Sequence, residues 1–208
     1  MATDSEAEKI YNQGRCDNDF HHESGLDVLI RQQATEFIYR SGIYWPKFNY
    51  EKALDALIEG RHSEYIYRAG KFWPWFNNGK GLQSLISTKS ARYIYYAGLE
   101  WKQFDFQKGL TALIHLQSSE FLFYAGAHWR EFDTNKGSSA LIFFKNLQYI
   151  YKAGAMWQAF DYEHGWRELE RRVGEGRKWR GKVFENQKWK RALHIIWQNI
   201  CKQKLPRE

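Results

Sequence analysis

The chain has 208 residues, 31 Lys or Arg against 24 Asp or Glu, a formal net charge of +7 and an aromatic content of 18%. Its two cysteines, Cys16 and Cys201, show neither disulfide-framework nor metal-ligand spacing, and no apolar run is long enough for a membrane-spanning helix. Those features exclude a cysteine-stapled secreted scaffold, a zinc module and a helical membrane protein. The polar residues 1–8 form a tail without a secretory pattern, so the expected setting is the cytoplasm, with both thiols reduced.

Residues 9–170 repeat with a period of 28 residues. Gly14, Gly42, Gly70, Gly98, Gly126 and Gly154 form one unbroken column, and Phe20, Phe48, Phe76, Phe104, Phe132 and Phe160 form another six residues later. Between them stand Trp45, Trp73, Trp101, Trp129 and Trp157, with Asp17 in the first copy.

Each copy predicts two short helices. Helix A of the fourth copy spans about Arg92 to Trp101, where Ile94, Ala97, Gly98 and Trp101 share one apolar face. Pro46 and Pro74 directly follow the tryptophan and are expected to stop the helix there. Asn49, Asn77, Asp105, Asp133 and Asp161 are suited to cap the helix B that follows. Ser63, Ser90 and Ser118 or Ser119 fall where the next helix A needs a cap.

Six glycines inside helices cost roughly 6 kcal/mol in propensity, so close packing must recover that amount. The expectation is that the Gly98 column lets another helix backbone approach. The helix B column of Gly25, Gly81, Gly109, Gly137 and Gly165, with Ala53 as the exception, would supply the opposing surface.

Residues 171–208 carry twelve Lys or Arg against three Glu, while the first 170 hold 19 basic and 21 acidic groups. The repeats are thus nearly neutral and the cationic excess lies at the end. Trp189, Ala192, Leu193, Ile196 and Ile200 predict a basic C-terminal helix capping the last repeat.

The string AG..W..FD..KGL.AL, read at Ala97, Gly98, Trp101, Phe104, Asp105, Lys108, Gly109, Leu110, Ala112 and Leu113, resembles tetratricopeptide-like repeats, above all their Sel-type branch, at a shorter period. The resemblance covers about residues 9–170. It implies an all-α fold, an α/α solenoid of about six hairpins plus the basic C-terminal capping helix, used as a binding scaffold. It brings no catalytic residue and names no partner.

Helical steps of 100° place Tyr93 and Tyr95 on the flanks of the buried face and Tyr96, Leu99 and Glu100 outward. The flank ladders Phe37, Tyr65, Tyr93, Phe121, Tyr149 and Tyr39, Tyr67, Tyr95, Phe123, Tyr151 are expected to pack between repeats. The outward column contains Arg40, Arg68, Tyr96, Tyr124 and Lys152, flanked by Tyr44, Phe72, His128 and Met156. Arg and Tyr are enriched at interface hot spots, so Arg40, Tyr44, Arg68, Phe72, Tyr96, Tyr124, His128 and Lys152 are the candidate partner-binding residues of a groove lined by helix A. A further stripe, Lys52, Lys80, Lys108, Lys136 and His164, is expected to pair with the helix B caps.

The chain has no phosphate-binding glycine loop, His-Glu-x-x-His helix or Gly-x-Ser-x-Gly elbow. The "HHE" of His21 to Glu23 points in divergent directions and reads as no metal site. No catalytic residue, metal or cofactor is therefore assigned. The leading expectation is a non-enzymatic scaffold that binds a protein. The alternative is a nucleic-acid module in which Arg177, Lys178, Trp179, Arg180, Lys182, Lys188, Trp189, Lys190 and Arg191 engage phosphates and bases. A third possibility, a small enzyme or an inhibitor of one such as a phage or toxin-defence factor, is allowed only by the compact size and the lack of motifs.

Overall fold

A computed structural model of the chain describes residues 5–157, 159–161, 163–165, 167, 168 and 171. The predicted basic cap, including Arg177 to Arg191, lies outside them. Among the described residues the chain is all-α. The helices are α1 (Glu6–Cys16), α2 (His22–Arg31), α3 (Thr35–Tyr44), α4 (Tyr50–Glu59), α5 (Ser63–Phe72), α6 (Asn78–Ser87), α7 (Ala91–Glu100), α8 (Phe106–His115), α9 (Ser119–His128), α10 (Thr134–Phe143) and α11 (Leu147–Met156). They fall into two compact units, one of α1–α7 through Asp105 and one from Phe106 onward with α8–α11.

Odd-numbered helices are the A helices and even-numbered ones the B helices of a repeated hairpin. Within the units, α1, α3, α5 and α9 each pack on their own B helix and, more extensively, on the A helix of the next repeat, while B helices meet one another less. This is the local pattern of an α/α solenoid. No described helix is long and apolar enough to cross a membrane.

The expectation for the glycine columns fails in an instructive way. The nearest atoms to a β-carbon at Gly14, Gly42, Gly70 or Gly126 belong to no helix backbone; they are those of the indole of Trp45, Trp73, Trp101 or Trp157, less than 3.0 Å away and each from the following repeat. The bare helix surface lets the indole settle low enough to hydrogen-bond to main chain. Trp45, Trp73, Trp101 and Trp157 donate from Nε1 to the carbonyls of Tyr11, Tyr39, Tyr67 and Phe123, at 3.1, 3.0, 3.0 and 3.2 Å. Each acceptor lies three residues before the glycine.

The helix B glycines have a similar reason. At Gly25, Gly81, Gly137 and Gly165 the obstructing group would be the phenyl ring of the same repeat, from Phe20, Phe76, Phe132 and Phe160. Those phenyls then meet the indoles edge-on. Phe20–Trp45, Phe48–Trp73, Phe76–Trp101 and Phe132–Trp157 have centroids 5.4, 5.4, 5.0 and 5.1 Å apart, the favoured T-shaped arrangement.

Helix A ends at the residue before the tryptophan, which is extended with ψ of 130–137° whether or not proline follows. Proline at Pro46 and Pro74 therefore suits this geometry without causing it. Helix B begins as predicted where it can be seen. Asn49, Asn77 and Asp133 accept from the amides of Lys52, Lys80 and Lys136 at 3.0–3.1 Å, and Asp161 from His164 at 3.2 Å.

The expected serine caps of helix A do not form. Ser63 is inside α5, while Ser90 and Ser118 sit at the cap position without accepting a capping bond. The turn is instead made by the end of helix B. Gln33, Arg61, Lys89, Gln117 and Lys145 all have φ of 50–55°. Around Lys89, its own amide donates to Ile86 at 3.0 Å and that of Ser90 to Leu85 at 2.9 Å. These are the paired bonds of a Schellman ending, built here on long polar residues in place of glycine.

Three substitutions test the interlock and the turn. Gly70→Ala should cost about 2–4 kcal/mol in urea unfolding, from overpacking plus the displaced indole bond. Gly79→Ala, where a β-carbon meets only the Asn77 side chain at 3.6 Å, should be neutral or stabilising. Lys89→Gly should raise stability by up to about 1 kcal/mol through relief of the left-handed backbone.

Candidate functional site

The A-helix face of the first unit begins from aromatic ladders that interlock as the flank assignment predicts. Tyr11 meets Phe37 at 5.7 Å, Tyr39 meets Tyr65 at 5.7 Å and Tyr67 meets Tyr93 at 5.8 Å; in the second unit Phe123 meets Tyr149 at 5.8 Å. Above these rings the candidate residues separate into two groups.

Arg40, Tyr96, Tyr124 and Lys152 are half-buried parts of the packing. The Arg40 guanidinium lies 4.6 Å above the Tyr11 ring and Tyr96 packs 5.8 Å from Tyr67. In the second unit Lys152 sits 4.9 Å from the Tyr149 centroid, and Tyr124 stacks on His128 with centroids 6.2 Å apart. Arg40 and Tyr96 thus lean onto the preceding A helix instead of standing in water, because the A helices approach one another closely, while Tyr124 and Lys152 also pack on rings of their own helix. Arg68 is exposed but engaged, pairing with Glu64 at 2.6 Å.

The residues left open are the flanking column. Tyr44 and Phe72 are 54% and 52% exposed in the first unit, while Met156 is 59% exposed in the second, where His128 is also exposed. Ile43 and Leu99 add smaller exposed apolar areas. Trp75, 78% exposed in the A–B loop, was not singled out by the repeat columns, although its column is polar or small in the other copies.

A polar cluster joins α5 to α7. The Tyr67 phenol donates to Glu100, and Lys71 donates to the same carboxylate at 2.9 Å. Burial, followed by that bond to Glu100, raises the Tyr67 pKa far above its ordinary value. Burial pushes Glu100 upward too, but the Tyr67 hydrogen bond and the Lys71 ammonium outweigh it and hold the carboxyl below its usual value.

The lysine stripe departs from expectation. The cap holds the lysine amide while the ammonium reaches back to the preceding B helix, from Lys52 to Glu23 and Asp27 at 2.6 Å each and from Lys80 to Asp55. Lys136 likewise donates to Thr111 at 2.8 Å, while the His164 ring pairs with its cap, Asp161, at 2.8 Å. His22 of the "HHE" string is buried with a ring nitrogen 2.9 Å from the Gly14 carbonyl, and no described group of three or more His, Cys, Asp or Glu is placed to hold a metal.

The class these features define is an all-α helical-repeat protein with an aromatic and apolar face on its A helices. No protein-family model, curated protein or solved structure matches the chain.

The Tyr67–Glu100–Lys71 cluster sets two opposite pH dependences. Glu100 has a lowered folded pKa, so its contribution is present above about pH 4.5 and is lost as pH falls through the folded value. Tyr67 has a raised one, so its contribution is complete below about pH 10 and declines as pH rises beyond it. In urea titrations, the stability deficit of Glu100→Gln should shrink in acid and that of Tyr67→Phe should shrink in alkali.

Proposed function

We propose that this chain is a non-enzymatic, tetratricopeptide-like scaffold of the cytoplasm whose A-helix face binds another protein. The observation that carries this reading is the open, repeat-spaced pair Tyr44 and Phe72 on the A layer, rimmed by charges. Aromatic side chains of this kind provide large contact area at low entropic cost and dominate interface energetics. The exposed, free Cys16 supports a reducing setting.

Charge pairing favours a protein over a nucleic acid on this face. Arg68 holds Glu64 and Lys71 holds Glu100, while Lys52 and Lys80 hold carboxylates on the B layer. Cations already neutralised by the chain's own carboxylates release few counterions to a phosphate backbone.

The test is an affinity capture with and without nuclease. Tyr44→Ala/Phe72→Ala should weaken the captured protein's binding at least tenfold, with little dependence on salt, while Lys89→Ala leaves it unchanged. Retention of every partner by the double variant would refute the assignment of the face. Capture that vanishes with nuclease and falls log-linearly with salt would move the function to the basic segment around Arg177 to Arg191.

A further inference from the structure

The first and third repeats hold the same arrangement of four columns, complete in one and lacking an anion in the other. In the third, Tyr67 and Lys71 on α5 receive the Glu100 carboxylate from α7, and Tyr96 packs on the Tyr67 ring. Fifty-six residues earlier, the same columns hold Tyr11 and Arg15 on α1 with Arg40 and Tyr44 on α3. Arg40 lies over Tyr11 at 4.6 Å, as Tyr96 lies against Tyr67, and Arg15 sits 5.6 and 5.2 Å from the Tyr11 and Tyr44 rings.

The carboxylate column is filled by Tyr44, and three consequences are visible. Tyr11 is 1% exposed, yet among the described residues its hydroxyl has no hydrogen-bond partner. Arg15 forms no ion pair among the described residues, and Arg40 has only Glu36, at 3.6 Å. Two guanidiniums consequently share one ring above a desolvated, unsatisfied phenol, an arrangement that a carboxylate would relieve.

We propose that Tyr11 and Arg15 form a receptor for an Asp or Glu side chain of a protein partner, held as Tyr67 and Lys71 hold Glu100. This rests on the reading of the A face as a protein-binding surface and names the chemistry of the partner: an acidic segment with apolar neighbours. Tyr44, half in solvent, swings aside to admit the carboxylate and packs on the partner's adjacent apolar side chain, with Ile43 and Phe72 continuing the apolar strip. A polyphosphate fits less well. Along α5 the next cations, Arg68 and Lys71, already hold carboxylates, so the run of open positive charge that a phosphate backbone follows is interrupted.

Two measurements on the full chain test it. Tyr44→Glu restores the carboxylate in cis and should raise the melting temperature by about 3–6 °C, but not in an Arg15→Gln background; no rise in the otherwise unchanged chain overturns the receptor. A phage library of random twelve-residue peptides, panned on the chain, should yield sequences rich in Asp and Glu. Their affinity should fall at least tenfold on Arg15→Gln and on Tyr44→Glu, and stay unchanged on Arg31→Gln. Selected peptides without acidic enrichment, yet lost on Phe72→Ala, would overturn the receptor and leave the protein-binding face standing. Selection of no peptide at all would overturn both. A fluorescein-labelled oligo-dT bound by the chain and released on Arg15→Gln would assign the site to nucleic acid instead and overturn the proposal.

Discussion

At the A-helix glycines the indole of the next repeat settles where a β-carbon would stand, and from there its N–H reaches a main-chain carbonyl. The repeat depends on this contact. The tryptophan that closes one A helix covers the glycine of the A helix before it, and its hydrogen bond satisfies an otherwise buried indole donor. One residue type thus terminates a helix, fills a slot and ties neighbouring repeats at a fixed offset. The propensity lost at the glycines is recovered by a large aromatic surface and a directional bond, which no aliphatic side chain supplies together.

The phenylalanine column extends the same logic through the hairpin. Phe20, Phe76 and Phe132 occupy the glycine slot of their own B helix and present their edge to the next indole, and in the first unit Phe20, Trp45, Phe48, Trp73, Phe76, Trp101 and Phe104 form a continuous chain of edge-on contacts. The B layer adds a different tie. Lys52 and Lys80 each reach carboxylates 25 and 29 residues earlier. Exposed pairs of this kind contribute little stability each; their regular spacing serves register more than strength.

The repeat period, the helical class, the hairpin and the helix B caps were legible in the sequence because they depend on local chemistry repeated at a fixed interval. The occupants of the glycine slots were not, since a glycine column announces close approach without saying what approaches. The left-handed turn was also hidden: Gln33, Arg61, Lys89, Gln117 and Lys145 carry none of the usual glycine signal, and the backbone conformation comes from the two hydrogen bonds of the turn. At the candidate site, helical angles correctly left Tyr44 and Phe72 open but misjudged Arg40 and Tyr96. A single-helix projection contains no neighbouring A helix for those side chains to lean on.

Positions that break the period separate packing from recognition. Asp17 stands where later copies have tryptophan, and the described residues contain no earlier glycine for a tryptophan to cover; that exception follows from packing. Tyr44 standing in the column of Glu100 is of another kind. Its neighbours Tyr11 and Arg15 keep the groups that bind a carboxylate, and among the described residues the phenol has no hydrogen-bond partner and Arg15 no ion pair; the Tyr44 ring offers them only an edge contact and a cation–π contact in exchange. A repeat whose glycine, tryptophan and phenylalanine columns are explained by their neighbours tolerates such a cost where the missing group comes from outside the chain.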